Sequence, residues 1–492
     1  MMGGLKPYPR MKHSGVAWLG EVPEHWEVSS IARIGRLFKG NGGSKEDEVA
    51  EGVPCVRYGD LYTRHEFFIT STKACVSTDR APAYTVIRPG DVLFAASGET
   101  IEDIGRSAVN LLDVPACCGG DVLLLRPSVP ANPGFLGYAA DASPARRQKA
   151  TMGRGFTVVH IYASQLKRLT LALPPLAEQA AIVRFLDHAD RRIRRYIRAK
   201  HKLIKLLEEQ KQAIIHQAVT GRIDVRTGHP YPAYKKSGVE WLGEVPEHWE
   251  VARLGRLIEL MTGFAFKSDG FTQVAEDIKL LRGVNVSPGK IRWTDVVRWP
   301  LSEREKYRAF DLQVGDIVLG MDRPIIQGGT RVATVSEADV PALLLQRVAR
   351  TRPRLELQGD FLSLLLAGKS FADYLIPIFT GISVPHLSPE QIKSFRFALP
   401  TDDEQRQIVL WVAAKTRDIS AAVLSAEREI SLLHEYRTCL IADVVTGKLD
   451  VREAAARLPD EGDDLLPDAA DDESIPDDPA DDLDALPEEA EA

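Results

Sequence analysis

Arg, Lys, Asn and Gln can read a base edge, because their donors and acceptors match the pattern a base pair shows in a DNA groove. Those in Gly-rich or irregular stretches are free to enter a groove. In the first half of the chain they are Lys39, Asn41, Arg57, Arg64, Arg106, Lys149 and Arg154; in the second they are Lys267, Arg282, Asn285, Arg292, Arg323, Gln327 and Lys369. A separate basic run comprises Arg191, Arg192, Arg194, Arg195, Arg198, Lys200, Lys202 and Lys205. It suits either a solvated helix face or the phosphates of a duplex, with Arg191, Arg194, Arg195 and Arg198 as the candidate phosphate contacts.

Catalytic chemistry has no comparable footing. The Asn/Asp-Pro-Pro-Tyr/Phe motif of an amino-methyltransferase is absent. Gly368-Lys369-Ser370 ends like a phosphate loop, but Ser363 stands where the first Gly is required. Cys55, Cys75, Cys117, Cys118 and Cys439 form no C-x-x-C pair, so reduced and mostly buried thiols are expected, with no metal site. No lysine follows Lys448 to complete a nuclease cluster with the C-terminal acids. No catalytic residue and no bound cofactor are therefore expected in this chain.

The overall charge of -7 hides two opposite parts. Residues 453–492 carry 17 acids against Arg457 alone, or -16, which leaves +9 for residues 1–452. A body of this sign suits a polyanion. The acidic segment is too poor in aromatic and β-branched residues to offset its ordering entropy, and disorder is expected there. A solubilising role is the simpler reading of it; competition with DNA for the basic surface is the sharper one. No run of about eighteen apolar residues suggests a membrane span, and residues 1–10 lack a secretory core, which points to the cytoplasm.

The strongest pattern is an internal duplication. The stretch 12–28, KHSGVAWLGEVPEHWEV, recurs as 235–251 with two differences. Arg57 matches Arg282, and Pro-Gly-Asp-Val-Leu at 89–93 matches Val-Gly-Asp-Ile-Val at 314–318. His160, Gln165 and Lys167 match His386, Gln391 and Lys393; Leu173-Pro174 and Glu178-Gln179 match Leu399-Pro400 and Glu404-Gln405. Thr220–Arg226 matches Thr446–Arg452. The sequence between these anchors diverges, including the loops 153–156 and 380–383 that precede the matched histidines.

Because the Trp18/Trp26 and Trp241/Trp249 blocks are nearly identical, they are expected to be anchors fixing each domain to a helix end, with His25 and His248 satisfying local hydrogen bonds. His160 and His386 are expected to be turn or packing residues. Short β-rich runs broken by Gly and Pro make the first part of each copy a mixed α/β domain. Ala177–Val219 lacks Gly and Pro, and Ile182, Leu186, Ala189, Ile193, Tyr196, Leu203, Leu207 and Ile214 recur at three and four. This predicts a long helix with a coiled-coil seam, closed by a left-handed Gly221. The second copy predicts a helix capped by Asp402 or Asp403, with a seam through Ile419, Val423, Ala426, Ile430, Leu433 and Leu440, ending at Gly447.

The order of variable domain, long helix, variable domain, long helix, with the Trp-Leu-Gly-x-x-Pro-x-His-Trp and Leu-Pro-Pro-Leu-x-Glu-Gln motifs, resembles the specificity subunits of type I restriction-modification systems. The resemblance covers nearly all of residues 1–452. It implies an α+β fold of two target recognition domains joined by two long helices in an antiparallel coiled coil under a pseudo-two-fold axis. The expected boundaries are 1–28 anchor, 29–175 first recognition domain, 176–226 first spacer helix, 227–251 second anchor, 252–400 second recognition domain, 401–452 second spacer helix and 453–492 tail. It also implies a non-catalytic subunit that reads an asymmetric bipartite site in double-stranded DNA. Its partners would be two modification subunits holding S-adenosylmethionine and methylating adenine, with two restriction subunits using ATP and Mg2+ as an open addition. Two alternatives are a fragment of a self-contained modification enzyme, which lacks the motif it needs, and a coiled-coil scaffold that binds no DNA.

Overall fold

The computed structural model describes residues 5–43, 45–155, 158–326, 329–354, 356–379 and 385–459. The chain divides into two compact units, with the division falling inside each of its two long helices. The described part of the first unit is the chain up to Arg198 plus the chain from Glu429 to Pro459; that of the second is Ala199–Arg428.

In the first unit a five-stranded sheet runs Gly35–Lys39, Val122–Pro127, Val92–Ala95, Ser107–Asn110, Phe67–Ile69. All its pairs are antiparallel except the last. Val92–Ala95 is buried on both faces, which its unbroken apolar run requires. A second sheet runs Glu48–Val49, Ala74–Val76, Val53–Val56, Ala116–Cys118, Thr85–Ile87. The helix Pro133–Asp141 starts from Asn132, whose side chain accepts the Phe135 N–H.

The second unit keeps the plan. Ile258–Thr262, Val348–Pro353, Ile317–Gly320 and Val332–Thr334 form a sheet in the order of their counterparts, and Ile278–Leu281 pairs in parallel with Ala342–Leu344 as Val53–Val56 does with Ala116–Cys118. Among the described residues the edge strand Phe67–Ile69 has no equivalent in the four-stranded sheet, and the sheet containing Ile278–Leu281 has three strands against five in the first unit. The duplicated mixed domains and two long helices make the fold α+β.

In each unit the strand leaving the anchor block pairs antiparallel with the strand that enters a long helix: Glu27–Ser30 with Thr170–Leu173, and Glu250–Arg253 with Arg396–Leu399. Each mixed α/β domain thus enters and leaves through one strand pair.

The long helices span Leu176–Val219 and Asp402–Val445, 44 residues each. The cap of the second is Thr401 rather than Asp402 or Asp403. Its hydroxyl accepts the Glu404 N–H, and the Glu404 carboxylate takes the Thr401 N–H and hydroxyl, a reciprocal arrangement at the helix start. The first seam is buried at Ile182, Leu186, Ala189 and Ile193, but continues through Ile197 instead of Tyr196, which is 53% exposed. The step there is four residues where three were expected. Leu203 is also exposed, and near the helix end Ile215 is more deeply buried than Ile214. In the second helix Val423, Ala426, Ile430 and Leu440 are buried, with Ile419 and Leu433 half-buried.

The ordered chain runs further than the acidic composition suggests. A short helix, Arg452–Ala456, buries Ala455, and the Arg184 guanidinium donates to the carbonyls of Leu458 and Pro459. The rest of the expected disordered tail, 460–492, lies outside the described residues. Cys55, Cys117 and Cys118 are buried and Cys75 half-buried, whereas Cys439 is exposed; all five are free thiols. No single helix among the described residues is long and apolar enough to cross a membrane.

Both helices end on a glycine of positive φ, Gly221 (+70°) and Gly447 (+76°). A Cβ on Gly447 would lie 2.2 Å from Cδ of Pro23 and 3.1 Å from Trp26; on Gly221 it would lie 2.5 Å from Pro246. Gly228 has the same conformation, φ +75°, with nothing within 4 Å. We therefore expect Gly228→Ala to cost about 1–2 kcal/mol from backbone strain alone, and Gly447→Ala to cost about 1–3 kcal/mol more from the clash with the anchor. Urea melts of the two variants measure the difference.

Candidate nucleic-acid interface

Each unit contains one copy of a polar junction that ties together three stretches distant in sequence. In the first, the Glu178 carboxylate at the start of the first long helix accepts from Trp26 Nε1 at 3.0 Å, from Tyr8 Oη, and meets His25 Nε2 at 2.9 Å. The Arg452 guanidinium lies over the Tyr8 ring, 5.0 Å from its centroid, and is paired with Asp450. In the second, Glu404 accepts from Tyr231 Oη at 3.3 Å and meets His248 Nε2 at 2.9 Å, while Arg226 covers the Tyr231 ring at 5.9 Å and pairs with Asp224. Burial pushes the Glu404 carboxyl up, but hydrogen bonds from His248 and Thr401 outweigh this and hold it below the usual carboxylate range.

The repeated blocks are thus anchors, and His25 and His248 are part of them. Trp26 and Trp249 are fully buried, but Trp18 is 39% exposed and Trp241 only half-buried, so the second tryptophan of each block carries the packing. Tyr8 and Tyr231, missed in the sequence, are signalled by the Pro-Tyr-Pro triplets at 7–9 and 230–232.

The glutamine next to each junction glutamate faces the recognition domain. Gln179 donates to the Pro174 carbonyl and accepts the N–H of Asn132, the cap of the helix Pro133–Asp141. Gln405 donates to the Pro400 and Glu356 carbonyls and accepts the N–H of Gln358, the matching cap. Each Glu-Gln pair therefore joins helix, anchor and recognition domain within two residues.

The first domain has a further tie to the helices. Arg437 binds both oxygens of Glu66 at 2.7 and 2.8 Å and also binds Asp190; Arg194 binds Glu66 and Asp190, each at 2.8 Å. Because Asp190 faces Arg437 while Arg184 reaches Leu458 and Pro459, the two helical stretches run antiparallel within this unit.

The candidate base readers fall into three groups. Lys39, Asn41, Arg64, Arg154, Lys267 and Arg292 have exposed side chains. Lys39 has Asp121 nearby, at 4.0 Å. Arg106, Arg323 and Lys369 are less available: Arg106 lies 3.3 Å from Asp103, Lys369 binds Asp373 at 2.6 Å, and Arg323 is half-buried in a φ +45° conformation.

The third group is built into the fold, against expectation. Lys149 is wholly buried; its ammonium bonds the Asp141 carboxylate at 2.9 Å, the Ala140 carbonyl at 2.9 Å and Ser107 Oγ at 3.1 Å. A buried ammonium must be paired, and these acceptors satisfy it, leaving no donor for DNA. Burial would push the Asp141 carboxyl up, but Lys149, Arg146 and Arg106 hold it below the usual range. Asn285 is 1% exposed and closes a turn, accepting the Arg282 N–H and donating to the carbonyls of Arg292 and Asp295. Arg57 and Arg282 share this turn, since Asp60 accepts the Arg57 N–H at 2.9 Å as Asn285 accepts that of Arg282 at 3.0 Å. Their guanidinium groups lie 3.5 Å from Glu48 and 2.7 Å from Asp295. Gln327, Phe156 and the loop 380–383 lie outside the described residues.

His160 pairs with Ser97 and His386 with Asp322, each beside the end of a matched central strand. On the first long helix Arg191, Arg195 and Arg198 are exposed, whereas Arg194 is spent on its ion pairs.

Two divergent mixed domains, each joined within its own unit to a long helix through a matching Glu-Gln junction, define a duplicated chain whose copies share their anchors and differ between them. The type I restriction modification DNA specificity domain family matches twice, at residues 23–205 and 246–419, and the chain belongs to it. It is 26% identical over 436 residues to the type I restriction enzyme MjaVIII specificity subunit of Methanocaldococcus jannaschii, covering 88% of this chain and 94% of that one. It is 33% identical over 209 residues to the EcoAI specificity subunit of Escherichia coli, 42% of this chain and 34% of that one. A solved structure described as the structural basis of complex assembly and conformational transition of the type I R-M system shares the fold at 18% identity. Its TM-score is 0.56, with 87% of this chain and 99% of that one covered.

Two substitutions distinguish structural charges from exposed readers. Lys149→Met, which removes one cation from the buried Asp141 while Arg146 stays bound to it, should cost about 1–3 kcal/mol by thermal or urea melting, more than truncating an exposed basic side chain. Glu404→Gln should cost about 1–3 kcal/mol at neutral pH. Since the folded Glu404 titrates below its unfolded value near 4.3, the difference from wild type should persist down to that pH and shrink as pH falls through the lower folded value.

Proposed function

We propose that this chain is the DNA-reading subunit of a type I restriction-modification complex, with each recognition domain reading one half of an asymmetric, interrupted site. One observation carries this reading: the strand order and Glu-Gln junctions are kept in both units, while the side chains offered to a groove differ. The exposed candidates are Lys39, Asn41, Arg64 and Arg154 in one unit and Lys267 and Arg292 in the other, at positions that do not match between the copies, and a pair of domains kept for packing alone would have no reason to diverge there. Duplicated readers on a common frame suit half-sites that differ in sequence. In this reading the long helices set the spacing and dock two modification subunits, which would hold S-adenosylmethionine and methylate adenine in the cytoplasm. The chain itself would catalyse nothing. Restriction subunits driven by ATP and Mg2+ would join the same complex to cut unmodified DNA.

Co-expression with a type I modification methyltransferase from the same host, followed by single-molecule mapping of methylated adenine, should give a split motif that vanishes when this chain is deleted. Methylation unchanged by the deletion would leave a scaffold without DNA as the remaining reading. Among exposed candidates, Arg64→Ala or Lys267→Ala at a base contact should relax one half-site only, by about 1–3 kcal/mol. At a phosphate contact the same change should weaken all sequences alike and lower the salt slope by about one.

A further inference from the structure

One surface of each unit keeps its backbone and changes its side chains. In the first unit the Ala95 N–H donates to the Arg106 carbonyl, the Ala96 N–H to the Asp121 carbonyl and the Ile161 N–H to the Ala96 carbonyl, each at 2.9 Å. In the second the Gly320 N–H donates to the Arg331 carbonyl at 2.9 Å, the Met321 N–H to the Arg347 carbonyl at 2.9 Å and the Leu387 N–H to the Met321 carbonyl at 2.7 Å. The bonds match one for one. Ser97, Gly98 and Asp121 therefore stand where the second unit has Asp322, Arg323 and Arg347, around the matched His160 and His386. No pair is alike, and Asp121 and Arg347 are opposite in charge.

The two sets offer solvent different chemistry. In the first unit Ser97 Oγ meets His160 Nδ1 at 3.0 Å, and the exposed Asp121 carboxylate has Lys39 at 4.0 Å. In the second a single carboxylate, Asp322, binds His386 Nδ1 at 2.6 Å and Arg347 Nη1 at 3.0 Å, and the side chains of His386 and Arg347 are 53% and 54% exposed, enough to meet a ligand. Three non-glycine residues among the described ones have left-handed φ, and two of them, Arg323 (+45°) and Arg347 (+64°), flank this carboxylate. Such strain persists only where the surroundings impose it, and it gathers at binding sites. Arg331, buried behind the cluster, imposes it by donating to the carbonyls of Asp322 at 3.0 Å and Val286 at 2.9 Å.

We propose that the surface around each matched histidine is where its unit reads a base, and that Arg347, positioned by Asp322, makes the second unit select guanine there. Guanine shows two acceptors, N7 and O6, in the major groove, and the planar fork of a guanidinium donates to both. Ser97 and Asp121 put acceptors at the same places in the first unit, which suits a base showing an amino group, cytosine or adenine. The inference rests on the proposed DNA-reading function and names residues that carry its sequence choice.

The test uses the full chain with type I modification subunits from the same host, read by single-molecule mapping of methylated adenine, with urea melts of each variant. Arg347→Lys keeps the charge and loses the fork, so preference for guanine at one position of one half-site should fall roughly tenfold, with the other half-site and the melt unchanged. Asp322→Ser/Arg347→Asp gives the second unit the first unit's pair, which this chain already carries on a matching backbone. It should replace guanine at that position by cytosine or adenine. An unchanged motif in Arg347→Lys, whether or not the melt falls, would assign the cluster to packing and overturn the proposal; so would equal weakening at all sequences, the mark of a phosphate contact. Wild-type methylation that does not depend on this chain would instead remove the DNA-reading function itself, and this site with it.

Discussion

A carboxylate at the first turn of each long helix is the point on which the rest of the molecule hangs. Glu178 and Glu404 are buried, and a buried charge is tolerable only when its acceptor capacity is filled. Tyrosine and histidine from an anchor block, with tryptophan as well in the first unit, fill it. The anchor in turn packs against the glycine ending a helix, Gly447 on Pro23 and Gly221 on Pro246. Helix start, anchor and helix end are therefore one cooperative unit in each copy, and weakening any one partner leaves the others incompletely bonded.

This arrangement frees the recognition domains to change. Each enters and leaves its frame through a single antiparallel strand pair, with a further tie from the neighbouring glutamine to a helix cap and, in the first unit, from Glu66 to Arg194 and Arg437. Between these fixed points the sheets keep their strand order while surface side chains vary, and variation there costs the frame nothing. Residues built into turns and interiors do not share that freedom. Lys149 and Asn285 are committed to internal bonds, and the shared turn at Arg57 and Arg282 holds the same geometry with an aspartate in one unit and an asparagine in the other.

The two units are not equivalent where charge is concerned. Glu66, from the first recognition domain, sits between Arg194 and Arg437, and the outer face of the same helix carries Arg191 and Arg195 toward solvent. The inner arginines hold the domain, while the outer ones face solvent, so helical phase divides one basic run into two sets.

The sequence by itself determined the duplication, the first 44-residue helix to within a residue and the second less closely, their closing glycines and the family, because repeats and helical periodicity are local patterns that survive without a third dimension. It also marked the anchors, through near-identity of two 17-residue blocks. It could not say that Lys149 is internal or that Asn285 closes a turn, since burial depends on which strands and helices lie above a residue. Nor could it choose Ile197 over Tyr196 in the seam, where a step of four and a step of three both fit the period of 3.6 and only packing selects between them. The partnership of Glu178 with Tyr8 and of Arg437 with Glu66 joins residues 170 and 371 positions apart. Contacts at such separations exist only once the chain has folded, and tertiary structure alone decided them.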